Sequence, residues 1–336
     1  IVGASILAPF RPGHDYRAAL DEAAALGFNL VRAFCGPLPW CGQERGHVYD
    51  RLPDFLGDCA DRGLNAYLSY VTEAGLGYDL TQHCLDVEVI TLPFDAVVLR
   101  EVANEPWHPT QGGRMTPARC AELANVIAPP DGPVCYGAST TDEATDYDGG
   151  DFAGPHLDRS RDRWNMVRRV RELHEKHIAI NQEPIGADET EQPGKRLSDP
   201  AVFLCMGALN RLFLGGNGVF HSQSGLMAQP LGPVQRQCAQ AFVTGTRLWP
   251  GAHRLTYQNS NVNGGWHDSP VQWHPVDDIV RAYSGVDGNQ ALVVLVGAKP
   301  GAEGSVRLGE GWRIAAVLAS SMGLDGRGCI VWHLTR

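Results

Sequence analysis

Two glutamates stand immediately before prolines in this 336-residue chain, Glu105 in AVVLREVANEP and Glu183 in IAINQEP. In each run a short apolar segment of strand character delivers the carboxyl group, and Pro106 or Pro184 then ends ladder pairing and opens a loop. Two carboxyl groups presented together at strand ends suit cleavage of a glycosidic bond. That reaction needs one protonated carboxyl to assist the leaving oxygen and one ionised carboxylate to attack or stabilise the anomeric carbon. The two environments must differ: burial and nearby negative charge should raise the pKa of Glu105, while a cation beside Glu183 should hold that group ionised. Taken singly, a glutamate at a strand-to-loop junction also fits a plainer role, accepting hydrogen bonds from a helix N-terminus or pairing with an arginine. Recurrence at two strand ends favours chemistry.

The elements that must position these groups are readable from apolar runs alternating with amphipathic segments, the pattern of parallel strands joined by crossover helices. Strands are expected over 2–8, 30–35, 66–71, 96–103, 134–138, 151–154, 178–182 and 218–221, with helices such as 15–26, 52–62, 117–127, 160–177, 200–213 and 233–246. Eight strands with helical returns predict an α/β fold of the (β/α)8 TIM-barrel type, in which the carboxyl ends of the fourth and seventh strands face the active site. The acidic stretch STTDEATDYDGG leaves space for only a turn or very short helix between the fifth and sixth strands. After Leu248 the pattern changes to short alternating strands with turn chemistry, including Asp287-Gly288 and the glycines at 309 and 311. The expected division is a catalytic barrel over 1–250 and a small antiparallel, β-sandwich-like domain over 251–336.

Composition narrows the partners. With 43% hydrophobic and 20% charged residues the chain can bury a full core, and its formal charge of -10 excludes a polyanion such as nucleic acid as the expected partner. The basic stretch from Arg159 to Arg171 is interleaved with acids and apolar residues at helical spacing, which reads as a solvated helix face. No apolar run is long enough to span a membrane, and IVGASILAPF lacks the length and basic flank of a signal peptide; localisation stays open, since the chain begins at Ile1. Nine scattered cysteines show no CxxC zinc spacing and read as small buried thiols, with only Cys35 and Cys41 close enough to suggest a loop bridge.

These motifs resemble glycoside hydrolase clan A over roughly the first 250 residues. Members of that clan carry an Asn-Glu-Pro acid/base on the fourth strand and a glutamate nucleophile on the seventh. The resemblance implies retaining hydrolysis of an oligo- or polysaccharide, with Glu105 as acid/base, Glu183 as nucleophile and no cofactor or metal. GFNLVRAF resembles the clan's second strand and implies that Arg32 contacts the nucleophile. By the same resemblance Asn104 hydrogen-bonds the sugar 2-hydroxyl, and His156 in DFAGPHLD is the sixth-strand histidine that lines the site. The plainer alternatives are a barrel-floor ion pair for Arg32 and a satisfied loop histidine for His156. Two departures bear on substrate: Asp158 stands where the clan often has a tyrosine, and the eighth strand ends FHSQSG, offering His221 and Gln223 in place of a tryptophan.

Trp40, Trp107 and His108 lie in loops expected on the active-site face, where an aromatic face would stack on a sugar ring; capping the local core is the alternative. Asp142, Glu143, Asp146 and Asp148 lack EF-hand spacing and read as a solvated loop rather than a cation site. Two other functions fit the scaffold: a non-catalytic carbohydrate-binding or structural barrel, and a metal-dependent barrel enzyme. The latter would call for an HxH pair, which the sequence lacks.

Overall fold

The structure, a computed structural model, describes residues 1–127, 132–138, 145–156, 178–180, 182, 199–221, 231–249, 256–258, 271–273, 281–298, 306–322 and 328–336. Parallel strands occur at all eight expected places: β1 (Val2–Ile6), β2 (Leu30–Phe34), β3 (Asn65–Val71), β4 (Val97–Ala103), β5 (Val134–Gly137), β6 (Phe152–Ala153), β7 (Ile178–Ala179) and β8 (Gly218–Phe220). Six of them form one sheet in the order β5-β4-β3-β2-β1-β8, while β6 and β7 form a parallel pair. One apolar cluster gathers Leu30, Tyr67, Leu99, Cys135, Phe152, Ile180 and Val219, all buried. A Cβ on Gly3 would meet Leu30 and Val219 of the same cluster. Residues from so many strands share one core only when the sheet curls around it, the geometry of a TIM barrel filled by layers of inward side chains.

Because alternate residues of a strand face the same side, Arg32, Glu101 and Gln182 occupy the inward phase two residues beyond Leu30, Leu99 and Ile180. A polar layer therefore sits on the apolar one, toward the carboxyl ends of the strands.

Helices α1 (Tyr16–Leu26), α2 (Arg45–Asp61), α3 (Leu80–Thr91) and α4 (Pro117–Ile127) return the chain between the first five strands. The sequence expectation of a helix from residue 52 is corrected: α2 begins at Arg45 and carries Pro53 inside it. Glu44 and His47 form a reciprocal capping box there, and Val48, Leu52, Phe55, Leu56 and Cys59 make a continuous buried stripe that outweighs the missing amide proton of the proline. Between β5 and β6 the described residues hold a single 3-10 turn, Thr145–Tyr147. The helix expected over 160–177 lies outside the described residues.

By contact the chain divides into Ile1–Asp188 with Gly218–Gly232, and Glu189–Asn217 with Pro233–Arg336. The second unit thus takes helices α5 (Pro200–Leu214) and α6 (Pro233–Arg247) along with the C-terminal strands. Those strands are β9 (Thr256–Gln258), β10 (Val271–Trp273), β11 (Arg281–Asp287), β12 (Gln290–Ala298), β13 (Val306–Leu308), β14 (Arg313–Met322) and β15 (Gly328–Thr335). Five form an antiparallel sheet in the order β14-β15-β12-β11-β9, and β10 pairs with β13. Val293 and Leu295 of β12 pack with Val271, Trp312 and Trp332 in one core, while Leu292 and Val294 are buried on the strand's other side, and α5 contacts β12, β14 and β15. All nine cysteines are free thiols and eight are buried; Cys41 instead gives its thiol to Leu38 O at 3.2 Å.

Candidate active site

The Asn-Glu-Pro turn is built where β4 ends. Asn104 N donates to Val71 O at 2.8 Å, which continues the β3–β4 ladder by one step. Gln111, 1% exposed, then fastens the turn: its amide nitrogen donates to Asn104 O at 2.6 Å and Thr72 O at 2.8 Å, and its oxygen accepts from Ala74 N at 3.0 Å. Glu105 itself sits at φ 43°, a left-handed conformation that costs a non-glycine residue on the order of 1–3 kcal/mol and persists only where the surroundings over-determine it. Gly137 on β5 is part of those surroundings. A Cβ there would overlap Ala103 O and come within 2.8 Å of Pro106 Cδ, so only glycine lets β5 approach the turn.

Behind the turn lies a buried polar chain. Arg32 and Glu101, both fully buried, form an ion pair in which Nη2 and Nε reach the same carboxylate oxygen at 2.7 and 3.2 Å. The same Nη2 donates to Asn104 Oδ1 at 2.8 Å. A guanidinium has only protons to offer, so it fixes the Asn104 amide with its oxygen inward and its NH2 available to the pocket. His156, 6% exposed, places Nδ1 3.0 Å from Glu105 Oε1. Arg32 is thus a buried ion-paired group that also holds Asn104, while its expected contact with Glu183 lies outside the described residues.

Glu105 faces a cavity of about 290 Å³ lined also by Asn104, Trp40, Glu73, His108, Thr110 and His221, with Leu7, Phe34, Leu38 and Thr72. Trp40 is 61% exposed and presents its indole to this space rather than capping a core. Burial pushes the Glu73 carboxyl above its usual range, against a hydrogen bond from Trp40 that favours the ionised form. Trp107 is not among the cavity-lining residues: its indole nitrogen donates to Ala138 O at 3.0 Å, tying the loop after β4 to the end of β5. Glu183, Gln223, Asp158, Asp142 and Glu143 lie outside the described residues. Among the described residues no three His, Cys, Asp or Glu side chains are grouped to hold a metal ion, and no helix is long and apolar enough to cross a membrane.

Sequence reading did not single out Glu101, Gln182, Gln111 or Glu73. For the first two the sequence shows only a polar residue within or closing an apolar run; their inward phase emerges once Leu99 and Ile180 are seen in the core. Gln111 and Glu73 act from loops whose course no periodicity encodes.

No known protein-family profile matches the sequence, and no curated protein matches it either. Solved structures do. A protein described as a glycoside hydrolase superposes with a TM-score of 0.64 at 10% identity, covering 99% of this chain and 92% of the other. A glycoside hydrolase family 5 protein from Bacteroides vulgatus ATCC 8482 gives 0.60 at 11% identity, covering 99% and 89%. A GH30 endoxylanase from Clostridium papyrosolvens C71 gives 0.51 at 11% identity, covering 100% and 96%. The chain has the fold of clan A glycoside hydrolases, a TIM barrel with a small C-terminal β domain.

Proposed function

We propose that this chain is a retaining O-glycosyl hydrolase acting on an oligo- or polysaccharide, with residues 1–250 as its catalytic barrel. The observation that carries the reading is Glu105: a carboxyl group on a strained strand-end turn, facing a cavity, with His156 Nδ1 at 3.0 Å and the oriented amide of Asn104 beside it. Glu183 attacks the anomeric carbon while the proton of Glu105 passes to the departing glycosidic oxygen, leaving a glycosyl ester on Glu183. The Glu105 carboxylate then takes a proton from water, whose oxygen displaces Glu183 from the same sugar carbon and restores the starting configuration. Asn104 NH2 donates to a sugar hydroxyl, and Trp40 and His108 receive the sugar faces and rims. Thr110 and His221 complete the described wall, and Gln223 follows His221 in chain order.

A panel of aryl glycosides and polysaccharides supplies the test. Glu183→Ala should abolish turnover, with azide restoring cleavage in the inverted configuration. Glu105→Ala should retain cleavage of nitrophenyl glycosides, whose leaving groups need no proton, and azide should raise it with retention. Full turnover of a natural glycan by either folded variant refutes the two-glutamate mechanism.

A further inference from the structure

The residue before the seventh-strand glutamate is a fully buried amide, Gln182, and it joins the two halves of the polar chain. Its terminal group meets Tyr67 Oη, Glu101 Oε1 at 3.0 Å, Gly154 O at 3.1 Å and His156 Nε2 at 3.2 Å. The carboxylate and the backbone carbonyl can only accept, so the NH2 of Gln182 faces them and its oxygen receives the Tyr67 hydroxyl proton. Burial drives the Tyr67 phenol well above its usual range, which keeps that proton in place. Room for the amide is made on β6's carboxyl side, where a Cβ on Gly154 would overlap it.

We infer that Gln182 is a positioning residue that fixes His156 as the neutral Nδ1–H tautomer and so directs the reactive proton of Glu105 to Oε2. The two hydrogens of the Gln182 amide are shared among Glu101 Oε1, Gly154 O and His156 Nε2, and its nitrogen cannot accept one. A hydrogen on Nε2 would therefore have no acceptor there, and the single proton of a neutral ring lies on Nδ1, 3.0 Å from Glu105 Oε1. Oε1 is then occupied as an acceptor, and a protonated Glu105 carries its hydrogen on Oε2. A second proton on His156 would set Nε2–H against the Gln182 NH2, which cannot accept it. The described groups around the ring are Glu105 and Gln182 directly, with Glu101, Arg32, Tyr67 and Cys135 behind the amide. The Arg32–Glu101 pair orients Gln182 while adding no net charge beside the acid. The role of Gln182 in the reaction rests on the proposed acid/base role of Glu105; the tautomer does not.

The test is a long-range ¹H–¹⁵N correlation spectrum of the full chain labelled in histidine, with His156 assigned by its loss in His156→Gln. The expected spectrum has a protonated Nδ1 and an unprotonated Nε2 at the pH of greatest activity. An Nε2–H or imidazolium form in active wild-type protein overturns the inference. Gln182→Met, similar in volume and without donors, should release the tautomer preference. It should lower kcat about tenfold on glycosides with poor leaving groups while sparing dinitrophenyl glycosides. Equal losses on both substrates indicate a structural role and overturn the inference; should the variant not fold, the wild-type spectrum decides alone. Absence of wild-type activity on every glycoside, with the Nδ1–H form observed, defeats the proposed function and leaves the tautomer standing.

Discussion

Replacing Glu101 by Gln keeps the shape of the side chain and removes one charge from a pair in which both partners are 0% exposed. Arg32 cannot respond by releasing a proton, since a guanidinium stays charged at any accessible pH. Nε and Nη2, which now reach a carboxylate oxygen at 3.2 and 2.7 Å, then meet a neutral one, while Nη2 keeps its contact with Asn104 Oδ1 at 2.8 Å. Breaking one side of a buried pair costs about 3–5 kcal/mol, because the surviving ion keeps its desolvation penalty. At roughly 2–4 °C per kcal/mol for a unit of this size, the melting temperature should fall by about 6–20 °C. Urea unfolding should show the same loss with an unchanged slope. If the cost is the broken buried pair, Arg32→Met combined with Glu101→Leu should be far less destabilised than the two single losses summed. A Glu101→Gln loss below about 1 kcal/mol, the scale of an exposed pair, or additive behaviour in the double variant, would refute the reasoning.

Other perturbations separate positioning from stability. Gly137→Ala must displace Ala103 O or Pro106, so it should cut kcat at least tenfold for a stability loss of about 1–3 kcal/mol, read by kinetics and thermal melting together. Trp40→Ala should raise KM by roughly three- to tenfold with kcat nearly kept, since the indole lines the cavity and stacking contributes about 0.5–1.5 kcal/mol; Trp107→Ala, outside the cavity lining, should leave KM nearly unchanged. His83 is buried with its pKa lowered from 6.5 to about 4 by desolvation, between Tyr49 Oη at 2.7 Å and Tyr70 O at 3.0 Å. The unfolded chain takes up this proton at higher pH than the folded one, so the contribution is complete above pH 6.5 and is lost as pH falls from there toward 4. It amounts to about 3 kcal/mol. Urea midpoints across that window should flatten in His83→Gln, and an unchanged slope with pH in that variant would contradict the assignment.

The eight strands were legible because each is a short apolar run closed by turn chemistry, and Glu105 was legible because a proline marks where its strand stops. Continuous apolar runs, however, do not reveal which alternate residues face inward, since a barrel strand is buried on both sides. In AVVLREVANEP, Arg100 and Glu101 are neighbours of opposite fate: Arg100 pairs with Glu88 of α3, whereas Glu101 enters the barrel to meet Arg32. Only a phase reference such as Leu99, known to face inward once the core is seen, separates them. The start of α2 was missed for a related reason. Pro53 reads as a break in the sequence, while the apolar stripe and the Glu44–His47 cap that override it are properties of the assembled helix.

The position of the polar chain follows from the barrel's own layering. Below it, Leu30, Tyr67, Leu99 and Ile180 exclude water and fix the strands; above it, strand ends open into the cavity. A charge placed in the intermediate layer has no solvent to turn to and must be met by another side chain from across the barrel. Glu101 on β4 therefore answers Arg32 on β2, and the spare carboxylate oxygen engages Gln182 from the segment after β7. Each such contact ties a different strand to its neighbours at the level where Asn104 and Glu105 emerge. The buried charges stabilise little by themselves, since desolvation offsets most of their attraction. What they add is geometric: the strand ends cannot shift independently without stranding a charge or an amide, and a strained glutamate at φ 43° is held in one place before any substrate arrives.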